Sequence, residues 1–287
     1  SAIKKYSNLF GVACGQKNVL FTNNDSAYET AISLFQKGIN IEAIIDNREN
    51  VDSQLVKEIE KNNIKIYKGY TVVNTFGYKR VNKISIMQLS KDGQKVVGSK
   101  ISIDCDCLGM SGGWTPAVHL FTQSGGKLKF RDEDQVFIPD TYPSDQISIG
   151  SCNGEFTLDE ILSSISKKLK DFLNIKKTEY ENLEIQSHFN KTKRNIWLLP
   201  SDKIIGKTKP FVDYQNDATA KDIKLALREG FRSIEHVKRY TTTGMGTDQG
   251  KLGNMHALGI ISETAGSKMG ELGTTTFRPP YTPLTFG

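Results

Sequence analysis

The chain has 287 residues, a length that suits two compact domains. Its 37% hydrophobic and 24% charged content fits a globular protein in water, and no apolar run approaches the roughly 20 residues of a membrane span. The net charge of +6 is carried largely by local runs such as Ser166-Lys167-Lys168-Leu169-Lys170 and Lys176-Lys177. These read as a solvated helix face and linker, or as a nucleic-acid surface; no readable recognition motif or interleaved aromatics accompany them, so no nucleic acid is expected as a partner. The four cysteines, Cys14, Cys105, Cys107 and Cys152, form neither a disulfide framework nor a zinc pattern, which points to a reducing, cytoplasmic compartment.

In chain order, Ile3, Tyr6 and Phe10 share one face of a short helix ended by Gly11 and Gly15. Asn18 to Thr22 is a buried strand, Asn23 to Ser26 a turn, Ser26 to Lys37 an amphipathic helix closed by Gly38, and Ile41 to Asp46 a second strand ending on an acid. That order is the layout of a dinucleotide-binding βαβ unit. Its turn should read G-x-G-x-x-G, but here it is Thr22-Asn23-Asn24-Asp25-Ser26-Ala27. Glycines there permit close approach of backbone to pyrophosphate; side chains block it and Asp25 adds like charge. The unit is therefore expected to be structural, with Asp46 a polar strand end. A largely helical stretch from Asn47 to Asn62 follows, and then an exposed antiparallel meander of Ile64 to Lys68, Thr71 to Phe76, Tyr78 to Leu89 and Val96 to Asp104.

Further on, Ile147 to Gly150 reads as a strand entering a turn and a helix that starts at Thr157 or Leu158. Cys152 reads as a small packed residue, since no histidine is partnered with it. From Pro210 the pattern is an extended run, a helix capped at Thr219 with Asp222 three residues on, a stop at Gly230, and a second helix capped by Ser233. A polar loop, Thr241-Thr242-Thr243-Gly244-Met245-Gly246-Thr247, leads to a third helix from about Leu252. Thr241, Thr242, Thr243, Gln249 and Lys251 offer hydroxyl, amide and cationic donors, and Gly244 and Gly246 allow backbone amides to turn toward an anion. A solvated connection between helices is the alternative. The pair of helices around Gly230, with Lys238 and Arg239 on the second, also has the outline of a helix-turn-helix.

The stretches GQKNVLFTNNDSAYETA, GFRSIEHVKRYTTTGMGTDQGK and TTTFRPPYTPLTFG resemble the alpha subunit of heterotetrameric sarcosine oxidase, and the resemblance covers nearly the whole chain. It implies an α/β fold: Rossmann-like, flavoprotein disulfide reductase-like nucleotide-binding domains, then a small mainly helical domain resembling bacterioferritin-associated ferredoxin. In relatives that keep the cluster of that domain, four cysteines hold it. Here those positions fall around Asp213 to Asn216 and between Thr247 and Asn254, and none is cysteine. Thiolates hold such clusters because soft sulfur suits iron, so no iron–sulfur cluster is expected. The implied division is 1–113 for an inserted pyridine-nucleotide-type domain, with Trp114-Thr115-Pro116 at its exit hinge. The first nucleotide-binding domain resumes over 114–170, a linker spans 171–205, and the helical domain spans 206–276. Residues 277–287 would lead toward a folate-binding domain, making the chain an internal piece of a longer subunit.

The resemblance further implies an oxidoreductase that converts sarcosine to glycine with formation of peroxide and transfer of the one-carbon unit to tetrahydrofolate. It implies partnership with beta, gamma and delta subunits and no membrane. NAD contacts fall on Gly150, Ser151, Phe156 and Leu158, helix N-terminal amides being suited to phosphate or ribose. FMN at the interface with the beta subunit is expected against Thr241, Thr242, Thr243, Gln249 and Lys251. No catalytic or metal-binding residue is expected in this chain, and His119, His188, His236 and His256 are ordinary surface or packed histidines. A ligand-free scaffold is the main alternative.

Overall fold

The computed structural model describes residues 2–143, 145–174, 195–203, 208–279 and 282. Lys176, Lys177, His188 and most of 280–287 lie outside the described residues. The chain divides into two compact units, Ser1–Gly113 with His188–Ile205, and Trp114–Ser187 with Gly206–Gly287.

The first unit contains α1 (Ala2–Phe10), β1 (Asn18–Thr22), α2 (Ser26–Phe35), β2 (Ile41–Asp46), α3 (Gln54–Lys61), β3 (Lys65–Lys68), β4 (Tyr70–Gly77), β5 (Val81–Leu89), β6 (Val96–Asp104) and β7 (Cys107–Ser111). A parallel sheet has the order β3-β2-β1-β7, and β4-β5-β6 form an antiparallel sheet. All five residues of β1 are buried, as expected of a parallel strand covered on both faces. Alternation along the strand decides the partners. Leu20 packs with Tyr28, Ala31, Leu34, Ile44, Val56 and Ile59 under α2 and α3. Val19 and Phe21 point the other way, onto Ile45 and onto Ile84, Ile86 and Cys105. Each such aliphatic side chain, fully buried, contributes about 1.5–3 kcal/mol.

Three expectations are corrected here. The run at Ile64 to Lys68 does not open the antiparallel meander; β3 pairs in parallel with β2. The meander is not exposed throughout, because Ile84 and Ile86 of β5 pack with Val19, Phe21 and Ile45 of the parallel sheet, and Leu89 is buried too. The helix after Asn47 starts only at Gln54, capped by the Ser53 hydroxyl accepting from the Val56 amide. Asn47 and Arg48 are buried in the preceding turn instead. In the β4–β5 turn Gly77 has φ 144°, and a Cβ there would sit 1.9 Å from the Arg80 carbonyl oxygen, so glycine is required.

The second unit contains α4 (His119–Gln123), the hairpin β8 (Lys127–Arg131) and β9 (Val136–Thr141), a 3-10 turn at Gly150–Asn153, and α5 (Leu158–Leu173). Ile147 to Gly150 is not a strand. Then come β10 (Phe211–Asp213), β11 (Ala218–Thr219), α6 (Ala220–Arg228), α7 (Ile234–Thr241), α8 (Asn254–Ala265) and α9 (Met269–Leu272). Ile223, Ala226, Val237, Leu258, Ile260 and Ile261 are buried among the helices. Both expected helix starts form, the Thr157 amide donating to Glu160 and the Thr219 amide to Asp222 as in one half of a capping box. No described helix is long and apolar enough to cross a membrane.

Candidate functional sites

At the carboxyl edge of the parallel sheet, β1 and β2 deliver Asp25 and Asp46 to the place where a Rossmann unit meets its ligand. The chain fills that place itself. Arg48 Nη2 lies 2.8 Å from Asp25 Oδ1 and 2.7 Å from Asp46 Oδ2. Arg48 Nε donates to Asp46 Oδ1 at 3.0 Å, and the Tyr28 hydroxyl donates to Asp46 Oδ2 at 2.9 Å. All four side chains are buried. Burial alone would lower the pKa of Arg48, but its bonds to Asp46 and Asp25 outweigh that and raise it. Burial and the neighbouring Asp46 carboxylate push the Tyr28 phenol far above its ordinary range, so it stays a neutral donor. The βαβ layout drew attention to Asp46; Arg48 and Tyr28 carry no signal short of the fold.

Beside this cluster is a cavity of about 440 Å³, including its open mouth. It is lined by Phe21, Thr22 and Asn23 from β1 and its turn, Asn47, Met110 to Gly112 around the end of β7, and Asn195, Ile196, Trp197 and Leu199. Asn23 Nδ2 donates to Asn195 Oδ1 at 3.1 Å.

In the second unit, the segment Gly150 to Leu158 is organised around a carboxylate that the sequence did not single out. Glu155 accepts from the Gly150 amide at 2.9 Å, Asn153 Nδ2 at 3.0 Å, the Ser164 hydroxyl at 2.5 Å and Lys168 Nζ at 2.7 Å. Burial raises its pKa, but these donors outweigh it and hold the carboxyl below the usual range. The amides of Phe156 and Thr157 donate to Glu160. Ser151 and Leu158 are exposed, whereas Gly150 is buried. Cys152 donates to the Ile149 carbonyl.

The loop from Thr241 to Lys251 is likewise turned on itself. Thr241 and Thr243 are buried, their hydroxyls 2.7 Å apart, and Thr241 also donates to the Val237 carbonyl. Thr242 is exposed in the left-handed region, with its hydroxyl donating to the Thr241 carbonyl. The Gly244 amide, expected to face an anion, donates to Asp213 Oδ2 at 2.7 Å. Asp213 also accepts from the amides of Gln215 and Asn216 and from Asn216 Nδ2. Gln215 Nε2 donates to Thr247 Oγ1, Asp248 N to Gln215 Oε1, and Gln249 Nε2 to the Gly246 carbonyl. Asp213 to Asn216 and the Gly244–Asn254 segment are thus tied by hydrogen bonds at the positions that hold cluster ligands in the relatives the sequence resembles. No group of three or more His, Cys, Asp or Glu suited to a metal ion occurs among the described residues.

Of the five loop residues singled out, Lys251 lines a cavity, of about 460 Å³ with its open mouth. Its other walls include Pro116, His119, Met255, Leu258 and Phe277. The His119 ring is buried, 3.9 Å from that of Phe277. Burial, and then the Lys251 charge, pull its pKa down to about 4 against the counteracting Gln249 hydrogen bond and Asp248. His119 is therefore a neutral core residue. Of the two basic residues on the second helix of the apparent helix-turn-helix, Lys238 is turned inward, its Nζ donating to the Thr276 carbonyl at 3.1 Å, and Arg239 is exposed.

Residues 207–287 match the family model described as the sarcosine oxidase A3 domain. The sarcosine oxidase subunit alpha of Rhizobium meliloti (strain 1021) is 34% identical over 303 residues, covering 100% of this chain and 28% of that protein. That of Corynebacterium sp. (strain P-1) is 31% identical over 294 residues, covering 99% of this chain and 30% of the relative. Among solved structures, L-proline dehydrogenase from P. horikoshii aligns over 98% of this chain and 51% of its own, with a TM-score of 0.59 and 18% identity. That likeness shows a shared α/β fold. The chain spans under a third of the curated relatives it matches. Along its whole length, it is a homologue of part of the sarcosine oxidase alpha subunit.

Proposed function

We propose that the chain is part of the alpha subunit of a sarcosine oxidase, an enzyme assembled with beta, gamma and delta subunits. The reaction is oxidative demethylation of sarcosine to glycine, with peroxide formed and the one-carbon unit passed to tetrahydrofolate. The observation that carries this reading is identity of 30–34% along essentially the whole chain to subunits of that name. In this reading 206–276 keeps the scaffold of a cluster-binding domain, with the Asp213 hydrogen bonds tying the loops that a cluster would otherwise join.

The chain's own part is to contribute one wall to an FMN site. A bound flavin supplies electron transfer. Lys251 brings a positive charge to a cavity whose other walls include the apolar Met255, Leu258 and Phe277, the neutral His119, and the polar Asn254 and Thr275. Thr242 and Gln249 lie on the same loop, and the buried Thr241 hydroxyl fixes its backbone by accepting from the Thr243 amide. The backbone amide of Gly244 is committed to Asp213, so recognition of a phosphate rests on Lys251 and not on an amide nest.

The fit to NAD is poorer at Gly150 to Leu158. The donors that would meet a phosphate already converge on Glu155. What Ser151, Phe156 and Leu158 retain is contact with an uncharged ribose or ring. The same carboxylate favours a second reading, in which this segment is scaffold only.

The test belongs in the assembled enzyme. Thr242→Ala, Gln249→Ala and Lys251→Ala together should lower FMN content or slow electron transfer between flavins, while sarcosine still reduces the FAD of the beta subunit. Unchanged FMN content with unchanged oxidase turnover would remove the loop from the site.

A further inference from the structure

We infer that Cys14 and Cys107 form an oxidisable thiol pair, a modification site in the first unit at which hydrogen peroxide closes a reversible disulfide between the loop 11–17 and the start of β7.

The position comes from the register of β7. Alternation along the strand puts Leu108 on the core of Val19, Phe21 and Ile45, and Cys107 and Gly109 on the opposite face. α1 covers that opposite face: a Cβ added at Gly109 would stand 2.6 Å from Ile3 Cδ1. The chain leaves α1 at Phe10 and enters β1 at Asn18, whose register partner on β7 is Cys107. Residues 11–17 therefore run beside the Cys107 end of β7.

Hydrogen bonds fix the loop there. The amides of Gln16 and Lys17 donate to the Asp106 carboxylate at 3.0 and 2.7 Å. In return the amides of Asp106 and Cys107 donate to the Lys17 carbonyl at 3.0 and 3.4 Å. Gly15 packs so closely that an added Cβ would lie 2.6 Å from Cys107 Cβ. Its Cα is then within about 4 Å of Cys107 Cβ, and Cys14 Cα is one step of about 3.8 Å further along the chain. A disulfide joins residues whose Cα atoms are about 4.4–6.8 Å apart, so at most a small shift of the exposed loop closes the bridge.

The two thiols have different parts. Both are free; Cys14 is exposed and Cys107 half-buried. Burial, and then the neighbouring Cys14 and Asp106, push the Cys107 thiol up to about 11, so first attack on an oxidant falls to Cys14. The Cys14 thiolate attacks one peroxide oxygen and the other leaves as hydroxide, which the thiol's proton turns into water; Cys14 is now a sulfenic acid. The Cys107 sulfur, giving up its proton, attacks the Cys14 sulfur and expels the second water. Two thiols and one peroxide become one disulfide and two waters. The product is uncharged, so the burial that disfavours a Cys107 thiolate does not oppose it. Cys105 is withdrawn into the core with Ile84 and Ile86, and Cys152 belongs to the second unit, where its thiol donates to the Ile149 carbonyl. Peroxide is a product of the reaction proposed above, but the pair needs only that peroxide be present. A bridge that dithiols reopen suits a reducing compartment, where disulfides are transient and redox-sensing.

The reduced full chain is treated with a molar excess of hydrogen peroxide, quenched, and mapped by mass spectrometry without reduction. Denatured thiols should fall from four to two, a peptide pair joined through Cys14 and Cys107 should appear, and dithiothreitol should restore all four. The oxidised chain should unfold at a higher urea concentration than the reduced one, because the bridge closes a long loop of the unfolded chain. Cys14→Ser, at an exposed position, should keep its three thiols over the time in which the unmodified chain closes, and should lose that shift in urea. Cys107→Ser should stop at a Cys14 sulfenic acid, trapped by dimedone. Bridging of Cys14 to Cys105, Cys152 or a second chain, oxidation of Cys14 beyond the sulfenic acid while Cys107 stays reduced, or oxidation of Cys107 at an unchanged rate in Cys14→Ser would each overturn the proposal.

Discussion

A single arginine explains why the first unit cannot be treated as an ordinary dinucleotide fold. A carboxylate at the end of the second strand is the expected ribose acceptor, yet Asp46 is spent on Tyr28 and Arg48 within the protein. The planar guanidinium reaches two carboxylates at once because its donors form a rigid fork. Such a cluster is costly to break one-sidedly, since its desolvated charges then lack a partner. Arg48→Met should destabilise the chain by about 3–5 kcal/mol in urea unfolding. Replacing Asp25 and Asp46 by Asn together with Arg48→Met should recover much of that loss. A single substitution costing under about 1 kcal/mol would mean that the buried cluster contributes little.

At the scale of elements, the helical region is held by one strand end and one loop. The Asp213 carboxylate at the end of β10 gathers the amides of Gln215, Asn216 and Gly244 and the Asn216 side chain. Burial raises its pKa, but these donors outweigh it and keep the group ionised below the usual range. α8 closes on the same strand: a Cβ at Gly253 would lie 2.5 Å from the Val212 carbonyl oxygen. Asp213→Ala leaves these donors without their acceptor, and each bond to a charged group is worth about 1.5–3 kcal/mol. The expected loss is about 3 kcal/mol or more, with faster hydrogen exchange at Gly244 as the local signature. Asp213→Asn, which keeps one acceptor, should lose less. Unchanged exchange at Gly244 in the alanine variant would show that the loop is held by something else.

For the molecule as a whole, these local arrangements combine into a dependence on acid. His119 has a folded pKa of about 4 against an ordinary 6.5. Between those values the unfolded chain binds a proton and the folded chain does not. Stability is therefore full above about pH 6.5 and falls as pH drops toward 4, by about 3 kcal/mol at the lower end. Asp213 and Glu155, both depressed, contribute stability that is present above the ordinary carboxylate range and lost at still lower pH. Unfolding measured at several pH values between 7 and 4 should show this slope, and His119→Phe should reduce it by about one proton. An identical slope in that variant would assign the acid sensitivity elsewhere.

Much of the architecture was legible because it is encoded over a few residues. β1 and β2 have the bounds that their apolar runs give, and the starts of α5 and α6 follow from Thr157 with Glu160 and Thr219 with Asp222. Kinship with sarcosine oxidase was legible too, through stretches of matching sequence. What the sequence left open was the choice of partner. Nothing within Lys65 to Lys68 says that this strand pairs with β2 and not with β4. Nor does a Thr- and Gly-rich loop reveal that its donors face inward. Those outcomes depend on residues far apart in the chain: Arg48 and Asp25 are 23 positions apart, Gly244 and Asp213 31, and Asn23 and Asn195 172. Local periodicity and capping act within a turn or two of backbone. Whether a polar group binds a ligand or its own chain is decided only when folding brings distant donors and acceptors together and removes water from between them.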